Sequence, residues 1–139
     1  MAVIPNELLY QMAVAFFTAA KTYKMSLHTS SFVPDKDTHE YYSDLTNEVS
    51  GTGYTEGGDD IGDPTVSKDE DTDEVKIDFS DYTFSDLTIA DIRYAVIYIE
   101  TGVDSTSQVI AMLDFGETLS LTAEDLAVKI SPHGILTLN

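Results

Sequence analysis

From Leu8 to Ala20 the chain reads LLYQMAVAFFTAA without a single charge. Leu8, Leu9, Met12, Phe16, Ala19 and Tyr23 recur at steps of three and four, so they share one stripe of a helix. Pro5 and Asn6 suit a helix start, Glu7 falls in its first turn, and Lys21 and Lys24 follow at the far end, where cations favour the helix dipole. The pattern predicts a helix near residues 6–22, buried over most of its surface against its own domain or a neighbouring subunit. The run is shorter than the roughly 20 apolar residues of a membrane span. Glu7 also stands where a signal peptide carries a basic residue.

After the helix the period changes to two. Met25, Leu27 and Thr29 alternate with Ser26 and His28, predicting a strand. From Ser30 to Asp63 turn residues dominate, and only short apolar patches such as Tyr41-Tyr42 and Leu45 interrupt them, so this stretch reads as long loops with one short helical or extended piece. Val75, Ile77 and Phe79 alternate with polar neighbours as a half-exposed strand does. Arg93 to Glu100 is apolar on both faces, which a central strand covered on two sides requires. With Val109 to Leu113 beyond a turn-rich loop, the simplest pairing is an antiparallel hairpin of 92–100 and 108–115. Leu126 to Ile130 and Ile135 to Leu138 supply two more short strands around the turn Pro132-His133-Gly134. The expected fold class is mainly β (α+β): an antiparallel β-sandwich or jelly-roll-like domain with one N-terminal helix, spanning 1–139 as one unit without internal repeats.

Composition then narrows the function. The chain of 139 residues has the size of one domain, and 42% hydrophobic residues suffice for a core, which argues against a wholly disordered chain. Lys and Arg number 7 against 25 Asp and Glu, a net charge of −18 that repels phosphate backbones and anionic lipid. Neither direct nucleic-acid binding nor membrane binding is expected. Cysteine is absent, which removes disulfides, thiolate nucleophiles and Cys-ligated metals.

Motifs for chemistry are correspondingly weak. His28, His39 and His133 lie far apart without paired ligand spacing, and read as one strand-surface residue and two loop residues. No nucleophile elbow or phosphate loop occurs, and Gly51-Thr52-Gly53-Tyr54-Thr55-Glu56-Gly57 has its last glycine one residue late for a dinucleotide fingerprint, so it reads as a flexible turn. Asp69, Asp71 and Asp73 alternate as calcium ligands do, yet Glu74 replaces the loop glycine and Ser80 the closing glutamate. They are candidate weak metal ligands, with a solvated acidic loop the plainer reading. No cofactor and no enzymatic activity are expected.

The stretch Asp37 to Gly58, DTHEYYSDLTNEVSGTGYTEGG, resembles the T-H-x-x-x-S-D-[VL]-x-N-E-V-x-G-T-G-Y-T-x-G-G stretch of a family of small tailed-bacteriophage virion proteins. Further similarities follow in the same order: Lys24 to Ser30, Arg93 to Tyr98 before Thr101-Gly102, Ile110 to Gly116, and Gly134 to Leu138. The chain departs from that family in the acidity of Asp59 to Glu74 and at Thr122-Ala123-Glu124-Asp125, where an aromatic-containing strand is usual. The resemblance implies a structural protein of the particle, with head decoration as its role and tail-associated roles as the alternative.

The resulting expectation is a non-enzymatic decoration or cement protein on the virion surface, present in the host cytoplasm during assembly. Its expected partners are the major capsid protein and copies of itself, in a homo-oligomer or symmetric array. A receptor- or glycan-binding particle protein competes with this reading; the lack of Trp speaks against it, although eight tyrosines could substitute. Candidate contact residues are Leu8, Leu9, Met12 and Phe16 on the helix and Tyr41 and Tyr42 in the loop. Eight carboxylates between Asp59 and Glu74 resist joint desolvation, so this segment is expected at an exposed rim, pointing away from the main apolar contact.

Overall fold

A computed structural model describes residues 3–18, 20–130 and 136–138. The elements are α1 (Asn6–Phe16), β1 (Thr22–His28), β2 (Asp59–Asp60), β3 (Thr65–Asp69), β4 (Glu74–Asp78), β5 (Tyr82–Glu100), β6 (Val109–Val128) and β7 (Leu136–Leu138). Two antiparallel sheets, ordered β2-β1-β5-β6 and β3-β4-β7, make a mainly β, sandwich-like domain with one N-terminal helix. The expected turn at Pro132-His133-Gly134 lies outside the described residues.

β1 pairs with β5 over its whole length, Met25 opposite Ile97 and Leu27 opposite Ala95. This pairing explains why α1 stops at Phe16 instead of continuing to residue 22. Tyr23, which helical spacing put on the helix stripe, is the first buried residue of β1 and meets Phe79 edge to face with ring centres 5.5 Å apart. Its hydroxyl donates to the Thr18 carbonyl at 3.0 Å, fixing the link between helix and strand. Burial of a large aromatic ring outweighs the small helix propensity of the five link residues 17–21.

The strands β1 and β5 have two covered faces. On one, Tyr23, Met25, Leu27, Ala95, Ile97 and Ile99 join Val75, Ile77 and Phe79 in the aliphatic core. On the other, Ser26, His28, Val96 and Tyr98 are also buried, beneath the loop 29–58, whose Phe32 is fully buried. His28 is thus a core histidine and not the surface residue expected: its ring lies 4.7 Å from that of Phe32.

β5 is twice the expected length. Its buried positions Phe84, Leu87, Ile89, Ile92, Ala95, Ile97 and Ile99 step by three as often as by two. Register shifts between Phe84 and Leu87, between Ile89 and Ile92, and between Ile92 and Tyr94 account for the steps of three, since an extra residue on either strand resets the alternation. Asp86 and Ala123 take positive φ at two of the shifts, on β5 and β6 respectively. The expected antiparallel pairing of 92–100 with 108–115 is found for Tyr94 to Tyr98 against Val109 to Asp114, whereas Ile92 pairs further along with Leu119; β6 is the outer strand of its sheet and Leu113 is only half-buried.

Candidate functional site

Two regions hold the residues expected to make contacts. The first is α1. Only Ala13 is buried; Leu9, Tyr10 and Phe17 pack partly against the core from the same side. The helix is therefore far less buried by its own domain than its charge-free sequence suggests. The candidates Leu8, Leu9, Met12 and Phe16 divide accordingly. Leu9 faces the domain, whereas Leu8 (52% exposed), Met12 (59%) and Phe16 (37%) face outward. Ile4, 53% exposed, precedes the helix and adds an apolar side chain at the N-terminal end of this row.

The ends of this row differ in charge. At the N-terminal end Asn6 donates to Asp73, Glu7 pairs with Lys68, and a shallow groove is lined by Val3, Ile4, Glu70 and Asp73. At the C-terminal end the Lys21 ammonium donates to the Phe16 carbonyl and lies 3.8 Å from the centre of the Phe16 ring. Of the eight carboxylates between Asp59 and Glu74, Asp60, Asp63, Glu70, Asp71 and Asp73 are exposed as expected and Asp59, Asp69 and Glu74 are half-buried; the β3–β4 hairpin tip abuts the first turn of α1 instead of pointing away from the apolar row.

Within that tip the three candidate metal ligands have separate tasks. Asp69 accepts the backbone N–H groups of Asp71 and Thr72 and pairs with Lys76 at 2.9 Å; the lysine first, then the turn amide, hold its carboxyl down to about 2. Asp73 adopts a positive φ and accepts from Asn6. Asp71 is exposed. Among the described residues no three His, Asp or Glu side chains converge as a metal site.

The second region is the loop 29–58, where Tyr41 and Tyr42 also part. Tyr41 is exposed, while Tyr42 turns inward and stacks on Tyr98 with ring centres 4.7 Å apart. The Tyr42 hydroxyl donates to one oxygen of the Glu48 carboxylate, and the Tyr54 hydroxyl and the Gly57 N–H donate to the other. Tyr98 donates in turn to the Gly57 carbonyl. Burial, then the adjacent Glu48, push the phenols of Tyr42 and Tyr54 upward, far from ionising near neutrality. Tyr54 further accepts the Leu27 N–H at 3.0 Å, closing the outer edge of β1 where β2 no longer reaches.

The glycine-rich stretch is accordingly a wedge and not a flexible turn. A Cβ on Gly58 would lie 1.7 Å from the Met25 carbonyl oxygen, and one on Gly53 would lie 2.4 Å from that of Asp86, so both positions require a bare backbone in a positive-φ conformation. Thr52, just before Gly53, bridges to Thr88 of β5. A small cavity lined by Glu48, Val49, Gly51, Tyr54 and Glu56 opens beside this wedge, and the Glu48 carboxylate in it already accepts three hydrogen bonds. Sequence reasoning missed Glu48, Tyr54 and Tyr98 as a set, because no fixed spacing joins residues that meet only through the tertiary fold.

The two histidines among the described residues serve packing. His28 Nδ1 lies 2.8 Å from the Thr46 carbonyl, which fixes a proton there, leaving Nε2 to accept from Ser26 at 2.8 Å. His39 stacks on Phe32 at 5.0 Å. His133 lies outside the described residues. Among the described residues no helix is long and apolar enough to cross a membrane. No protein-family model, curated protein or solved structure matches the chain.

Proposed function

We propose that this protein is a non-enzymatic structural component of a tailed-bacteriophage virion, a decoration or cement protein that stabilises the head by binding the major capsid protein and its own copies. The observation that carries this reading is the Asp37 to Gly58 stretch, whose similarity to virion proteins is concentrated in THEYYSDLTNEVSGTGYTEGG. In the fold, the distinctive residues of that stretch are consumed by architecture. Glu48 joins Tyr42, Tyr54 and Gly57, and Gly53 and Gly58 seat the loop on β5 and β1. A carboxylate saturated by three donors is suited to holding a shell rigid and poorly suited to moving protons.

The outward apolar row on α1 supports the same reading. A cement protein needs modest contacts repeated many times, because many weak interfaces in an array become collectively tight. The test is assembly of particles with and without the protein. Complete particles with normal tails but lower resistance to heat or osmotic shock are expected when it is missing. Tail-less particles, or particles of full stability that fail to adsorb, would move the protein to the tail or to receptor binding.

A further inference from the structure

We infer that the outward row of α1, Ile4, Leu8, Met12 and Phe16, is the contact face of a two-fold dimer in which the helix packs antiparallel on the same helix of a second copy. The row is spaced by four, and such i±4 ridges interlock with ridges of the same kind. Its members are 37–59% exposed in a chain of net charge −18, so this is a strip along which two anionic copies can approach without opposing carboxylates.

Charge supplies the direction. The row runs from an acidic end at Glu70 and Asp73 to a cationic end at Lys21. Among the described residues one of the three ammonium protons of Lys21 is engaged, by the Phe16 carbonyl, which leaves two donors. A parallel pair would set like ends together. A two-fold antiparallel pair sets the Lys21 of each copy beside Glu70 and Asp73 of the other, and the same patch then serves both partners, as an isologous interface requires. In that register Ile4 meets Phe16 of the second copy and Leu8 meets its Met12. An α1 of 11 residues is about 16 Å long, so the contact is small, weak and dependent on concentration.

This inference goes beyond the virion reading and is tested on the isolated protein, so either can fail alone. Sedimentation equilibrium over a wide concentration range is expected to show a monomer–dimer equilibrium. Met12→Glu should abolish the dimer, whereas Val14→Glu, off the row on the same helix, should leave it intact, with both variants retaining wild-type circular dichroism. Lys21→Glu should weaken association about tenfold or more, and adding Glu70→Lys should restore it. Because the chain has no cysteine, mixed Leu8→Cys and Met12→Cys chains report the register: under mild oxidation the mixture should cross-link faster than either variant alone. A monomer at every concentration, a dimer indifferent to Met12→Glu, or no rescue by Glu70→Lys would overturn the inference.

Discussion

The central strands β1 and β5 carry two coverings built on different physics. On one face, Met25, Leu27, Ala95 and Ile97 meet the aliphatic side chains of β4, and the attraction there is non-directional. On the other, Ser26, His28, Val96 and Tyr98 lie beneath a loop that contains only one short 3-10 turn, yet Phe32, Gly57 and Gly58 within it are buried. Hydrogen bonds to Glu48 and to backbone carbonyls hold that second covering in register. The comparison teaches that a layer need not be a sheet or a helix to close a sandwich: each polar group taken into it needs a specific partner, which regular secondary structure otherwise provides.

The largest effect is expected on the aliphatic face. Ile97→Ala should cost about 2–5 kcal/mol, read from the urea midpoint, because Ile97 is fully buried. Leu113→Ala, on the half-buried outer strand, should cost clearly less, and equal losses would mean that β6 is not an edge. Next comes the loop face. Glu48→Ala leaves two phenols and a backbone N–H without their acceptor and should cost about 1–3 kcal/mol. In the wild type Tyr42 and Tyr54 have raised pKa values, so their contribution is complete below about pH 10 and is lost as pH rises beyond it. An ultraviolet phenolate titration should therefore show both ionising only as the protein unfolds, and an early reversible step assigned to either would break the comparison.

A smaller effect concerns His28. Burial first, opposed by the Thr46 carbonyl and Glu48, pushes its pKa below the ordinary histidine value. The unfolded chain then binds the proton more readily, so stability is full above about pH 6.5 and declines as pH falls below it. His28→Gln should flatten the dependence of the urea midpoint between about pH 6.5 and 5; an unchanged slope would assign it to other groups. The smallest effect is at the hairpin tip. Asp71→Asn should leave the urea midpoint unchanged with or without calcium, and a calcium-dependent gain in the wild type alone would make the tip a cation site.

Legibility in the sequence followed from periodicity. The fold class and the pairing of Tyr94 to Tyr98 with Val109 to Asp114 were readable because Tyr94 to Ile99 are apolar on both faces of a strand. Residues 82–91 were not, because Asp86 and the later shifts break the alternation that marks a strand. The helix was placed but overextended, since Tyr23 satisfies helical spacing as well as it fills the core. The stripe was readable as apolar, though not which flank faces outward: Leu8 and Leu9 are equivalent in composition and differ only in what lies beneath them. The Glu48 cluster was illegible, for its members are drawn from positions 42, 48, 54, 57 and 98 and converge only when the loop lies on β5.

The interrupted pairing of β5 and β6 has a consequence for behaviour in crowded solution. A strand of 20 residues at the side of a sheet is a template on which foreign chains can zip up into fibres. Here the template is cut into pieces. Leu119 pairs with Ile92 but Asp114 already with Tyr94, so the intervening residues, Gly116 at positive φ among them, jut from the ladder, and Ala123 breaks it again a few residues on. A further shift between Ile97 and Tyr98 sets Ile110 aside, and the longest unbroken run that remains, Ala111 to Asp114, is too short to seat the six- or seven-residue segments from which amyloid grows. The kinks that hide β5 from a reader of the sequence thus also hide β6 from other chains.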